Sequence, residues 1–91
     1  MVRVTKELDL ITIKGNIFEY STLRDGVVTY YGIRGEINGY EVFIEEKEFE
    51  IEGVEFKKNS FVVEGETKKE VDLKIQLIKE RVEKILKERG F

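Results

Sequence analysis

"LITIKGNIFEYSTLRDGVVTYYGIRGEINGYEVFI", residues 10–44, is a run of β-branched and aromatic residues interrupted by three turn dipeptides, Gly15-Asn16, Asp25-Gly26 and Asn38-Gly39. Such dipeptides favour the primed turns whose twist matches that of a hairpin. Read as two-residue loops, they predict an antiparallel meander with strands over about 7–14, 17–24, 27–37 and 40–46. The register then follows. Ile13 is expected to face Phe18 and Ile11 to face Tyr20 across the first turn. Across the second, Phe18 should face Ile33 and Tyr20 face Tyr31; across the third, Ile33 should face Ile44 and Ile37 face Tyr40. All these pairs share one face, whereas a slip of one residue would scatter them over both. The expected inner face is Ile11, Ile13, Phe18, Tyr20, Tyr31, Ile33, Val42 and Ile44. The outer face is mixed, with Glu19, Arg34, Glu41 and Glu45 beside Leu10, Ile17, Tyr30 and Phe43.

Residues 47–64, "KEFEIEGVEFKKNSFVVE", read as two or three more short strands punctuated at Glu52-Gly53 and Lys58-Asn59. The apolar parity changes between Ile44 and Phe49 and again between Ile51 and Val54, and each change predicts a turn. After residue 66 the period becomes helical. Thr67 followed by Glu70 forms a capping box, in which the hydroxyl accepts a free helical N–H and the glutamate reaches back to the cap N–H. At the other end Gly90 suits a left-handed closing position, with Phe91 able to meet Leu86 in a Schellman closure. Val71, Ile75, Ile78, Val82, Ile85 and Leu86 form a stripe able to cover the inner face of the sheet. Glu80 with Lys84 and Glu83 with Lys87 are expected to support the wet side. The fold class is therefore α+β: an antiparallel meander of four to seven strands, able to curl toward a barrel, with one long C-terminal helix on one face. A single domain over residues 1–91 is expected, with the meander in 1–66 and the helix in 67–91.

Composition narrows the chemistry. The 91 residues include no cysteine and no histidine, which removes disulfides, thiolate zinc and the commonest general base. Isoleucine, valine and threonine are abundant, a bias toward extended structure. The segment "MVRVTKELDL" carries charges where a signal peptide needs an apolar core, so a cytoplasmic setting without membrane attachment is expected. Glutamate and lysine dominate a charged fraction of 38%, a thermophile-like bias. The net charge of −3 argues against a duplex-DNA binder, which needs a concentrated basic face.

The glutamates of 41–55 alternate with apolar residues, the pattern of a strand whose exposed face is acidic and resists edge-to-edge association. The segment has no aspartate for a calcium loop. Glu19 and Glu45 are expected on the outer face on either side of Gly32, with Arg34 and Thr12 nearby, a carboxylate pair of the type glycosidases use. A convex sheet offers no cleft to desolvate such a pair, so no catalytic role is assigned and no cofactor or metal is expected. Gly32-Ile33-Arg34-Gly35 matches a KH-loop pattern but lies inside a strand, and no phosphate-cradling glycine motif is present. The passage "VVEGETKKEV", residues 62–71, resembles over ten residues the strand-to-helix passage of HicB-type antitoxins. It lacks an alanine at Val71, and a generic capping box accounts for most of the likeness.

Apolar groups left outside point to function. Leu73 and Leu77 lie on the far side of the helix, and Tyr30, Phe43 and Leu10 on the outer sheet face. Either the strands of 47–64 cover one of these patches, or the groups are scattered surface residues, or they meet a partner. The favoured expectation is a non-catalytic protein-interaction module that self-associates as a homodimer, with Leu73 and Leu77 as candidate interface. The alternative is a single-stranded nucleic-acid or small-ligand binder whose outer face uses Tyr30, Arg34, Phe43, Glu19 and Glu45, stacking bases on aromatic side chains. Glu19, Glu36, Glu41 and Glu45 share that face and oppose a phosphate backbone, so nucleic acid is the less favoured partner.

Overall fold

The structure, a computed structural model, describes residues 2–25, 28–57 and 60–91, and of residues 21–25 and 28–31 the backbone alone. Among the described residues seven strands run in the order β1 (Val4–Leu8), β2 (Leu10–Ile13), β3 (Asn16–Asp25), β4 (Val28–Ile37), β5 (Tyr40–Glu45), β6 (Val54–Lys57) and β7 (Ser60–Gly65). A 3₁₀ turn (Glu46–Glu48) follows β5, and one helix, α1 (Lys68–Glu88), follows β7. The strands form two antiparallel sheets, a four-stranded one in the order β2-β3-β4-β5 and a three-stranded one in the order β1-β7-β6. The fold is α+β, and the sheets do not close into a barrel.

The four-stranded sheet is the meander read from the turn dipeptides, with a change of register. Across the first hairpin Ile11 pairs with Phe18 and Ile13 with Asn16, so the loop is Lys14-Gly15 and not Gly15-Asn16. Both loop residues have positive φ, +49° and +82°, as a type I′ turn requires. Across the second, Phe18 pairs with Gly35, Tyr20 with Ile33 and Thr22 with Tyr31. Asp25 pairs with Val28, so the predicted Asp25-Gly26 loop is displaced; Gly26 and Val27 lie outside the described residues. Across the third, Ile33 pairs with Ile44 and Ile37 with Tyr40, closing the predicted Asn38-Gly39 turn with φ of +51° and +82°. Both corrections shift the pairing by two residues. Side chains alternate with period two, so such a shift leaves every residue on its expected face. Ile11, Ile13, Phe18, Tyr20, Ile33, Val42 and Ile44 are all buried. The side chain of Tyr31 lies outside the described residues.

Gly35 shows why the observed register packs. A Cβ there would come 2.2 Å from the Phe18 ring, so the ring lies in the space that the glycine directly opposite leaves free.

The strand predicted over 7–14 is divided. The chain bends at Asp9, whose carbonyl accepts the Tyr20 N–H at 3.0 Å, and residues 4–8 cross to the other sheet. There β1 pairs with β7, from Val4 opposite Gly65 to Leu8 opposite Phe61. A strand that changes sheets at a bend makes a corner and lets two sheets share one core. β6 pairs with β7 on the other side, with Lys57 opposite Ser60. The Lys58-Asn59 turn lies outside the described residues.

An aromatic cluster joins the sheets. Tyr20 of β3 stands 5.5 Å from Phe56 of β6 and 6.0 Å from Phe61 of β7, ring centre to ring centre. Phe56 also meets Phe49 at 5.8 Å and Phe61 at 5.4 Å. Separations of this size favour offset and edge-on contacts between rings. The helix buries Val71, Ile78, Val82, Ile85 and Leu86 in the same core, with Ile75 packed against it. The inner face of the meander is thus covered by the three-stranded sheet and the helix together.

Residues 46–53 are not the alternating strand expected from their glutamates. The turns predicted at the two parity changes are present, as the 3₁₀ turn and as a turn at Glu52-Gly53, but the residues between them pair with no strand. Phe49, 3% exposed, enters the core from a loop. Alternation here reflects one anchored ring with charged neighbours, which needs no sheet partner.

Candidate interaction surfaces

The helix ends are fixed largely as the sequence indicates. The Thr67 hydroxyl accepts the Glu70 N–H at 3.2 Å. The Glu70 carboxylate bonds the Glu66 N–H at 2.7 Å rather than that of the cap residue, so the reciprocal half of the box is displaced by one residue. At the other end the Phe91 N–H reaches the Leu86 carbonyl at 2.9 Å and the Gly90 N–H the Lys87 carbonyl at 3.1 Å, with Gly90 at φ +87°. This is the complete Schellman pattern, and it satisfies carbonyls the helix leaves free.

Arg89, the last residue before that turn, ties the helix to the four-stranded sheet. Its guanidinium donates to both Glu48 oxygens, at 2.7 and 2.9 Å, and to the Phe43 carbonyl at 2.8 Å. Glu48 also accepts the Glu45 N–H at 3.1 Å. β5 is an edge strand, and Arg89 occupies one of its outward carbonyls, which blunts an edge that would otherwise template another strand. The sequence offered one signal for this clamp, a basic residue at a helix C-terminus in a chain with an acidic run elsewhere.

On the outer sheet face the register places Leu10, Glu19, Arg34 and Phe43 in one row across β2, β3, β4 and β5. Glu19 therefore stands opposite Arg34. It does not flank Gly32, whose neighbours are Ser21 and Glu45. The expected carboxylate pair about an open glycine is not formed, because the two-residue shift of β3 moves Glu19 along the strand. Nor is Gly32 a gap. It is buried, and a Cβ there would lie 2.1 Å from the Ile44 carbonyl oxygen and 2.9 Å from the tip of the Phe43 ring. Arg34 is bound to Glu41 at 3.2 Å. Glu45 is bound to Lys47 at 2.9 Å. Tyr30 pairs with Leu23 along the backbone, and its side chain lies outside the described residues. Leu10 and Ile17 are exposed on this face.

On the helix, Leu73 and Leu77 are 57% and 49% exposed. The strands of 47–64 do not cover them, since β6 and β7 pack on the inner face. Leu77 instead borders a shallow groove of about 420 Å³ with Ile51, Glu50, Glu52, Glu80, Arg81 and Lys84. A wider groove of about 600 Å³ runs on the other side, floored by Ile13, Ile37, Leu86 and Phe91 and rimmed by Lys14, Lys84 and Lys87 with Glu80 and Glu83. The expected Glu80–Lys84 and Glu83–Lys87 pairs are not made among the described residues; Glu83 approaches Lys14 across the second groove, at 4.0 Å.

Among the described residues no group of three or more carboxylates is placed to hold a metal ion, and no helix is long and apolar enough to cross a membrane. Compared with protein families, curated proteins and solved structures, the chain matches none.

Proposed function

We propose that the chain is a cytoplasmic, non-catalytic protein-interaction module that self-associates through the outer face of α1. One observation carries this reading. Leu73 and Leu77, one helical turn apart, are each about half exposed on a helix whose opposite side is locked into the core. Leucines placed together in this way cost solubility, and covering the exposed half of one such side chain recovers about 1 kcal/mol of transfer free energy. The Ile51 side of the adjoining groove extends the same apolar ground.

Molar mass by size-exclusion chromatography with light scattering, across a range of loading concentrations, tests the reading. The expected result is a mass that rises toward that of a dimer for the wild type and stays at that of a monomer for Leu73→Glu/Leu77→Glu. A wild-type monomer at every concentration would overturn it.

A second reading, a single-stranded nucleic-acid or small-ligand binder on the outer sheet face, draws on Arg34 and Phe43 standing directly opposite each other. It predicts retention on a single-stranded DNA column that falls with salt and with Arg34→Ala.

A further inference from the structure

The outer face of α1 carries charge in an order that selects how a second copy would lie on it. Glu70, Leu77 and Lys84 are spaced by seven, so they fall almost in line along the helix, with Leu73 and Arg81 beside them. The acidic member is toward the N-terminus and the basic members toward the C-terminus. Neither Lys84 nor Arg81 has an ion-pair partner among the described residues, and both border the groove beside Leu77. Glu70 gives one carboxylate oxygen to the Glu66 N–H; its other oxygen makes no hydrogen bond among the described residues.

A twofold interface places the same patch on both subunits, so a patch that is acidic at one end and basic at the other complements itself when inverted. An axis beside Leu77 sets residues equally distant before and after it opposite each other. Leu77 then meets Leu77, Leu73 lies over Arg81 and the shallow groove of the other copy, and Glu70 faces Lys84 twice. Moving the axis midway between Leu73 and Leu77 would oppose Glu70 with Glu80 and Lys69 with Arg81, like charge against like. The charges therefore discriminate between two registers that bury the same leucines.

We infer that two copies of this chain pair antiparallel along α1 about a twofold axis at Leu77, held in register by Glu70 of each copy against Lys84 of the other. The inference rests on the proposed self-association and specifies its geometry.

The test uses light scattering at low ionic strength on wild type, Glu70→Lys, Lys84→Glu and an equimolar mixture of the two variants, with circular dichroism to confirm the helix. Each variant alone faces like charges at both symmetry-related positions, and its dimer is expected to weaken by about tenfold or more. In the mixture both pairs attract again, so a heterodimer of near wild-type strength is expected; a variant that had merely lost its fold would not be rescued in this way. Since Glu70 also serves the helix start, Lys84→Glu alone decides the matter if Glu70→Lys loses helix. The register is overturned if Lys84→Glu dimerises like the wild type, or if two folded variants associate no better mixed than alone. In either case, a dimer that Leu77→Glu still abolishes leaves the proposed self-association standing. A wild type that is monomeric throughout removes both.

Discussion

Both sheets are antiparallel, yet they are assembled differently. In the four-stranded sheet every strand pairs with its neighbour in sequence. The three-stranded sheet places β7 between β6 and β1, so that Val4 pairs with Gly65 across most of the chain. Local pairing costs little loop-closure entropy and is guided by turn chemistry. Non-local pairing has no such guide and depends on what the strands bury against the rest of the molecule. The three-stranded sheet is accordingly held by Phe56 and Phe61 against Tyr20, and by the Asp9 corner that delivers β1 to it.

The sharpest way to break this comparison is to remove the ring at its centre. Phe61 is fully buried and touches both Tyr20 and Phe56. Phe61→Ala is expected to cost about 3–5 kcal/mol, read from the urea midpoint, because a core cavity remains after the ring is gone. Hydrogen exchange should show β1 and β7 losing more protection than β3 and β4. Equal loss in both sheets would mean that they do not differ as argued.

A smaller effect is expected inside the local sheet. At Gly32 a Cβ would meet backbone, the Ile44 carbonyl, which cannot rotate away as a side chain can. Gly32→Ala should destabilise by about 1–3 kcal/mol. An unchanged urea midpoint would refute the observed β4–β5 register.

The smallest change sharpens the comparison from the other side. Lys14 sits at φ +49° in the first hairpin loop, a conformation that asparagine tolerates better than lysine. Lys14→Asn should stabilise the protein by about 0.5 kcal/mol, seen as a raised midpoint with an unchanged slope. Were the loop Gly15-Asn16 instead, the substitution would have no such benefit.

These cases also show how far the residues can be read without the fold. The third turn was legible because Asn38-Gly39 places glycine second, where φ is +82°. The first loop obeys the same rule as Lys14-Gly15, and reading Gly15-Asn16 put the glycine in the wrong position. The apolar-face test could not detect the error. Of the candidate site residues, the outward placement of Leu73 and Leu77 followed from helical spacing alone. Glu45 stands beside Gly32 as expected, but Glu19 could not be placed correctly, because its position depends on the exact register of β3 on β4. The Arg89–Glu48 clamp was not legible in any specific form, since it joins the end of the helix to a turn that only the packed core brings beneath it.

By itself the sequence determined parity and punctuation: which side of each strand of the meander faces inward, where the helix starts and stops, and which leucines it leaves outside. Those properties follow from side-chain period and local backbone chemistry, and both act over a few neighbouring residues. The tertiary structure alone decided the crossing of the chain at Asp9, the union of β1 with β7, and the loop that delivers Phe49 to the core. Each depends on which distant surfaces fit together, and a period of two residues carries no information about that.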